Sequence, residues 1–206
     1  MLKEIILKNK TFRRFYQEHQ IPYKLMEEWI KLVRLVPTAR NQQALKYLII
    51  NDKSILEQIF PTLKWAGYLK DWDGPEQGQR PSAYIIIGID RSISDNYIAH
   101  WTYVDLGIAI QTILLSAVEN NLGGCVIVAF NKPKLNKILK IPKNIDIQSV
   151  LAIGKPKEEV IWLDMEPGKN NIKYFRDEQG KHYVPKRPLE DILLNKWTDF
   201  KFIKNK

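Results

Sequence analysis

Apolar residues recur along this chain with two distinct periods, and they lay out most of its elements. From Tyr23 to Val36, Leu25, Met26, Trp29, Ile30, Leu32, Val33 and Val36 fall at helical spacing. Pro22 suits the first turn of that helix and Pro37 ends it. Lys46–Ile50 is a short β-rich run stopped by Asn51-Asp52. Ser54 then reads as the N-cap of a short helix ending before Pro61. Ala83–Ile89 is apolar throughout, as a strand buried on both faces should be. Asn96–Asn121 is the longest helical pattern. It is apolar nearly all round from Ile108 to Val118, which predicts a central helix buried on every side. Two further strands are expected over Cys125–Phe130 and Ser149–Ile153, with a helix over Lys132–Leu139 between them. After Glu158 the pattern weakens to a hairpin over Lys173–Tyr183 and a brief helix over Leu189–Leu194. Strands mixed with helices imply an α+β or α/β sandwich. The weakly patterned tail needs a surface to rest on, which points to arms exchanged in a dimer.

Composition narrows the class. The chain has 206 residues, enough for one domain with an elaboration and a core that needs no disulfide. Its one cysteine, Cys125, excludes a disulfide framework and a multi-cysteine zinc site. His19, His100 and His182 are too far apart in sequence to announce a metal. The opening MLKEIILKNK does not read as a signal peptide, and the Ile108–Val118 run is interrupted by Gln111, Thr112 and Ser116. A cytoplasmic location is therefore expected, with no membrane association.

The net charge of +9 has three readings: nucleic acid, dispersed solvated lysines, or a few cations gathered on a small anion. Residues 131–157 hold seven lysines against one acid and suit a solvated surface. The aromatic residues lie mainly in core-like strands and helices, which argues against nucleic acid.

Four constellations could carry chemistry. Lys8–Phe15 holds four cations and no acid, fit for phosphate or equally for a solvated basic face. Pro37-Thr38-Ala39-Arg40-Asn41-Gln42-Gln43 offers short hydroxyl and amide groups to the edge of a planar heterocycle, or is simply a polar turn. Asp105-Leu106-Gly107 lies in the long helix, with Gly107 expected to serve close packing. Gly123-Gly124 follows, where bare backbone could approach a ligand or one glycine could cap the helix. Lys186-Arg187-Pro188 is a basic pair near the C-terminus. Cys125 itself reads as a buried strand residue.

In this order the segments resemble the nitroreductase family of FMN-dependent oxidoreductases. Asn9-Lys10-Thr11-Phe12-Arg13-Arg14-Phe15 stands for the family's Arg-Arg-Ser-x-Arg-x-Phe, carried there on a short opening helix. Pro37–Ala44 stands for its Pro-Ser-x-x-Asn-x-Gln-Pro, and Ile153-Gly154-Lys155-Pro156 for its Ile-Gly-x-Pro. Asn9, Thr11 and Ala44 depart from the usual Arg, Ser and Pro, and Val128-Ala129 stands where some members have Glu-Gly.

The resemblance implies a single domain over 1–206, a three-layer α-β-α sandwich with a mixed or antiparallel sheet, a loop elaboration at 65–81 and a C-terminal extension at 160–206. It implies a homodimer with the active site at the interface. FMN would be held at its phosphate by Lys10, Thr11, Lys186 and Arg187, with Asn9 beside them. Arg13 would lie beside flavin N1 and O2. Asn41 and Gln43 would bond the ring or ribityl chain, Pro37, Thr38 and Ala39 would reach in from the partner subunit, and Val128 and Ala129 would lie near N5. Hydride would pass from NADH or NADPH to the flavin and then to a nitroaromatic, quinone or other flat acceptor. No protein acid, base or metal is called for. Trp65, Tyr68, Trp72 and His100 are candidates for the substrate pocket. A flavin-binding module without turnover would carry the same pocket.

Overall fold

A computed structural model describes residues 1–93 and 99–194. They form two compact units, 1–158 and 159 onward. In the first unit the chain runs α1 (Leu2–Lys8), α2 (Tyr23–Val33), β1 (Leu45–Ile50), α3 (Lys53–Ile59), β2 (Ala83–Asp90), α4 (Ala99–Glu119), β3 (Gly123–Ile127), α5 (Lys132–Leu139) and β4 (Ile145–Gly154).

The strands form one antiparallel sheet in the order β1-β2-β4-β3. Period-2 alternation divides the side chains of its central strands between two cores. Ala83, Ile85, Ile87, Leu151 and Ile153 face α2 and α4, meeting Met26, Trp29, Ala109, Ile113 and Ala117. Tyr84, Ile86, Ile147, Val150 and Ala152 face the other way, meeting Ile59 and Leu135 of α3 and α5. The result is the expected three-layer sandwich. A bulge at Ile87/Gly88 shifts the register of β2 against β4, and a side chain at Gly88 would strike Ile145.

Several local expectations change. Asp52 rather than Ser54 caps α3, its carboxylate accepting the Ile55 N–H at 3.0 Å. The long helix ends on Asn121 in the left-handed conformation (φ 56°), so neither Gly123 nor Gly124 is its cap. The strand expected at Cys125–Phe130 runs instead from Gly123 to Ile127, and the strand expected at Ser149–Ile153 begins at Ile145.

The long helix is buried or half-buried at every position from Ile113 to Val118, within the stretch expected to be buried on every side, but nearer its start it is buried on one face only. Leu106, Ala109, Ile113 and Ala117 face the core, while Trp101, Val104 and Ile108 lie open. A methyl group at Gly107 would touch nothing within 4 Å, so that glycine serves no packing within the chain. By length and composition this helix could cross a membrane, but half of that stretch is buried inside the chain, where it forms the core against the sheet.

The described part of the second unit holds β5 (Val160–Asp164), β6 (Phe175–Arg176), β7 (His182–Lys186) and α6 (Leu189–Ile192). Its sheet is ordered β5-β7-β6, with β5 parallel to β7. The expected hairpin is β6–β7: Gly180 turns it at φ 79°, Phe175 stacks on Tyr183, and the Tyr183 hydroxyl donates to Asp177 at 3.0 Å. The hydrogen bond to Asp177 raises the Tyr183 hydroxyl above the ordinary tyrosine value.

One glycine anchors the first unit's edge. A Cβ at Gly154 would come within 2.7 Å of the fully buried Phe15 ring. Gly154→Ala should therefore destabilise the protein by about 1–3 kcal/mol through overpacking. A lowered denaturant midpoint at unchanged m-value checks it.

Candidate functional site

The segment Asn9–Tyr16 leaves α1 and runs extended along the end of the sheet. The motif expected on the opening helix thus lies after it. Thr11 bridges Gly124, and the Phe12 N–H donates to the Gly124 carbonyl at 3.0 Å. Phe15 bridges Pro156, the Tyr16 N–H donates to the Lys155 carbonyl and the Lys157 N–H to the Arg14 carbonyl, both at 2.9 Å. The glycine pair serves this packing: a Cβ at Gly123 would strike the Phe12 ring, and one at Gly124 would strike Leu114 and the Ala152 carbonyl.

Extended geometry sends alternate side chains to opposite sides. Arg13 and Phe15 turn inward, Thr11 is exposed, and Asn9 and Lys10 are half-buried. Arg13, 9% exposed, lies by Cys125 of β3, itself 5% exposed. Burial pushes the Cys125 thiol up to about 11, while the Arg13 guanidinium, hydrogen-bonded to it, pulls the other way. The Glu158 carboxylate accepts the backbone N–H groups of Arg13 and of Arg14, the latter at 3.1 Å.

The Pro37–Gln43 loop stands at the opposite edge, leading into β1. Arg40, Asn41 and Gln43 all hold positive φ (52°, 53° and 53°). Asparagine tolerates this, but arginine and glutamine carry strain, which persists only where the surroundings impose it. Asp105, 4% exposed on α4, accepts the Ala39 N–H at 2.9 Å. The Asn41 N–H donates to the Thr38 carbonyl at 3.0 Å, and the Gln43 amide donates to the Asn41 side chain at 3.1 Å. A cavity of about 410 Å³ opens behind the loop, lined by Val36, Thr38, Gln43, Tyr47 and Asp105. Burial, with the charge of Asp105, drives the Tyr47 hydroxyl far above its ordinary value. The Thr38 hydroxyl oxygen is buried and has no hydrogen-bond partner among the described residues.

The candidate residues therefore gather in separate places. Asn9, Lys10, Thr11 and Arg13 lie at one end of β3, and Val128 and Ala129 follow its other end. Val128 is 70% exposed, and the Ala129 carbonyl accepts the Lys64 N–H at 2.9 Å. Pro37, Thr38, Ala39, Asn41 and Gln43 precede β1, the opposite edge strand. Lys186 and Arg187 belong to the second unit, both exposed, with Arg187 donating to Asn170.

Of the aromatic candidates, Trp65 is core: it packs between Phe60 and Trp72 at 5.8 and 6.5 Å, and Gly74 is bare to admit it. Tyr68 is about half exposed. His100 is exposed at the start of α4 with its ring on Trp101. Among the described residues no cluster of His, Cys, Asp or Glu could hold a metal. Glu158, remote in sequence from Arg13, carries no motif that would have announced its role.

Residues 6–155 match the nitroreductase family model, and the chain belongs to that family. It is 24% identical over 169 residues to an Archaeoglobus fulgidus protein provisionally named NADH dehydrogenase/NAD(P)H nitroreductase, covering 80% of this chain and 91% of that one. An FMN-dependent nitroreductase structure from Clostridium difficile superimposes with TM-score 0.59 at 21% identity, covering 75% of this chain and 87% of that one. An NADPH:FMN oxidoreductase from Vibrio harveyi, complexed with NAD+, does so with TM-score 0.61 at 18% identity, covering 76% and 69%. These likenesses show the fold.

Two outcomes test the local chemistry. Asp105→Ala leaves the half-buried Ala39 N–H without its acceptor, so stability should fall by about 1–2 kcal/mol and amide exchange in residues 38–43 should accelerate. Burial keeps the native Cys125 thiol protonated and out of reach, so at pH 8 a thiol reagent should label it far more slowly than after unfolding in urea. Equal labelling rates would contradict the buried, protonated thiol.

Proposed function

We propose that the protein is an FMN-dependent NAD(P)H oxidoreductase that reduces a flat acceptor such as a nitroaromatic or a quinone. The observation that carries this reading is a family member's strained loop with the exposed amides of Asn41 and Gln43, alongside an extended cationic segment on the other edge of the sheet. The donor set suits FMN: cations and a hydroxyl for a phosphate dianion, amides for a heterocycle edge.

Bound FMN would supply the redox chemistry, taking hydride from NADH or NADPH and delivering it to the acceptor. Lys10 and Thr11 hold the phosphate, with the Asn9 amide beside them. Arg13 presents a permanent positive charge that favours a reduced, anionic ring. Thr38, Ala39, Asn41 and Gln43 orient the ring and its ribityl chain, and the backbone at Val128 and Ala129 lies against it. Tyr68, Trp72 and His100 flank the acceptor, and Trp65 supports Trp72 from the core.

The site requires two copies of the chain. The loop and the cationic segment belong to opposite edges of one sheet, so a homodimer brings one protomer's loop to its partner's segment. The open apolar face of α4, with Trp101, Val104 and Ile108, supports pairing there.

The purified protein should be a dimer by light scattering and show flavin absorbance, or gain it with added FMN. NADH or NADPH should bleach that absorbance anaerobically, and a quinone or nitroaromatic should restore it. Failure to bind FMN overturns the reading. Binding without bleaching leaves a flavin-binding module that does not turn over. Asn41→Gly, which tolerates the positive φ and removes the exposed amide, should weaken FMN binding about tenfold, the worth of one hydrogen bond, as read by flavin fluorescence.

A further inference from the structure

Glu158 meets the candidate site in a way no motif describes. Its carboxylate takes the backbone N–H groups of two consecutive residues, Arg13 and Arg14. The ladder around it, from Phe15–Pro156 to the Lys157–Arg14 and Tyr16–Lys155 hydrogen bonds, holds the two segments in register. Arg13 then turns inward to Cys125, where the guanidinium and the Glu158 carboxylate act on the thiol in opposite directions. Arg13 is buried there and Glu158 half-buried. A guanidinium stays protonated whatever its surroundings, so the charge it projects is set by what lies beside it rather than by pH. A carboxylate bonded to the arginine's own backbone N–H stays within a side chain's length of that guanidinium, and in a partly buried setting it cancels part of the charge.

We infer that Glu158 is the positioning residue for Arg13: it fixes the backbone from which the guanidinium is aimed, and it attenuates the positive charge that reaches the flavin. This rests on the FMN reading above. Its consequence is that the flavin's reduction potential reflects the Arg13–Glu158 pair rather than Arg13 alone.

Glu158→Gln keeps the shape and an acceptor oxygen for both N–H groups but removes the charge. The midpoint potential of the FMN-loaded protein, titrated anaerobically against reference dyes, is compared in wild type, Glu158→Gln, Arg13→Gln and the double variant. Glu158→Gln should raise the reduced-to-oxidised ratio about tenfold at fixed potential, about 30 mV for a two-electron couple. Arg13→Gln should shift it the other way. In the Arg13→Gln background the Glu158→Gln effect should fall by more than half.

Glu158→Asp, which keeps the charge but withdraws it, should move the potential less than Glu158→Gln, and it serves as the test should the glutamine variant fail to fold. An unchanged potential in folded, FMN-loaded Glu158→Gln, or an undiminished effect without Arg13, overturns the inference and leaves the FMN reading standing. A shift in Glu158→Asp as large as in Glu158→Gln overturns it as well. Wild-type protein that binds no FMN overturns both.

Discussion

The Phe15 ring occupies the space where a side chain at residue 154 would stand. Much of the arrangement at the β3 edge follows from that substitution of ring for side chain. Because Gly154 and Gly123 are bare, Phe15 and Phe12 can lie against the sheet, and the backbone between them runs flat along its end. With Phe15 turned inward, period-2 geometry turns Arg13 inward too. A charge driven into the interior by its neighbour's packing needs polar company there: Cys125 lies beside the guanidinium, and Glu158 holds the backbone that carries it. A packing constraint on an aromatic ring therefore dictates an electrostatic arrangement two residues away.

The other half of the site depends on a different compensation. Three left-handed residues in four positions form a conformation the chain would not hold unaided. Asp105 makes it tenable by accepting the Ala39 N–H from a helix anchored in the core through Leu106, Ala109 and Ile113. The strain is opposed by burial elsewhere, and the loop offers its amides in fixed positions rather than as a flexible turn.

How far the chain could be read in advance depended on the range of the interactions involved. β2 and α4 were legible because a run such as Ala83–Ile89 has few ways to be buried. α4 is as buried as its pattern predicts over Ile113–Val118 and open nearer its start, because an apolar face looks the same in sequence whether or not the core covers it. The glycine pair was legible as special but not as a seat for Phe12, which enters from more than a hundred residues away. β5 went unread because five residues after a Lys- and Glu-rich stretch give too short a pattern. The candidate site was legible as short motifs in family order. Their distribution over two sheet edges was not, because it follows from the strand order β1-β2-β4-β3, which no local pattern encodes. Glu158 was invisible for the same reason: its partners are backbone groups 144 and 145 residues away.

That strand order has a thermodynamic consequence on the proposed reading. A site split between two chains makes cofactor binding and chain association linked equilibria. Each stabilises the other by the same free energy, because the same contacts appear in both. The exposed amides of the strained loop and the open apolar residues near the start of α4 are then two expressions of one incompleteness, which assembly and ligand together relieve. The basic excess fits the same logic. Most lysines over 131–157 are exposed, while Arg13, held beside Cys125 with its backbone on Glu158, would already be in place for a second chain. Preorganising that charge within one protomer means its desolvation has been met by folding rather than by binding, and the affinity of the assembled site is correspondingly spared.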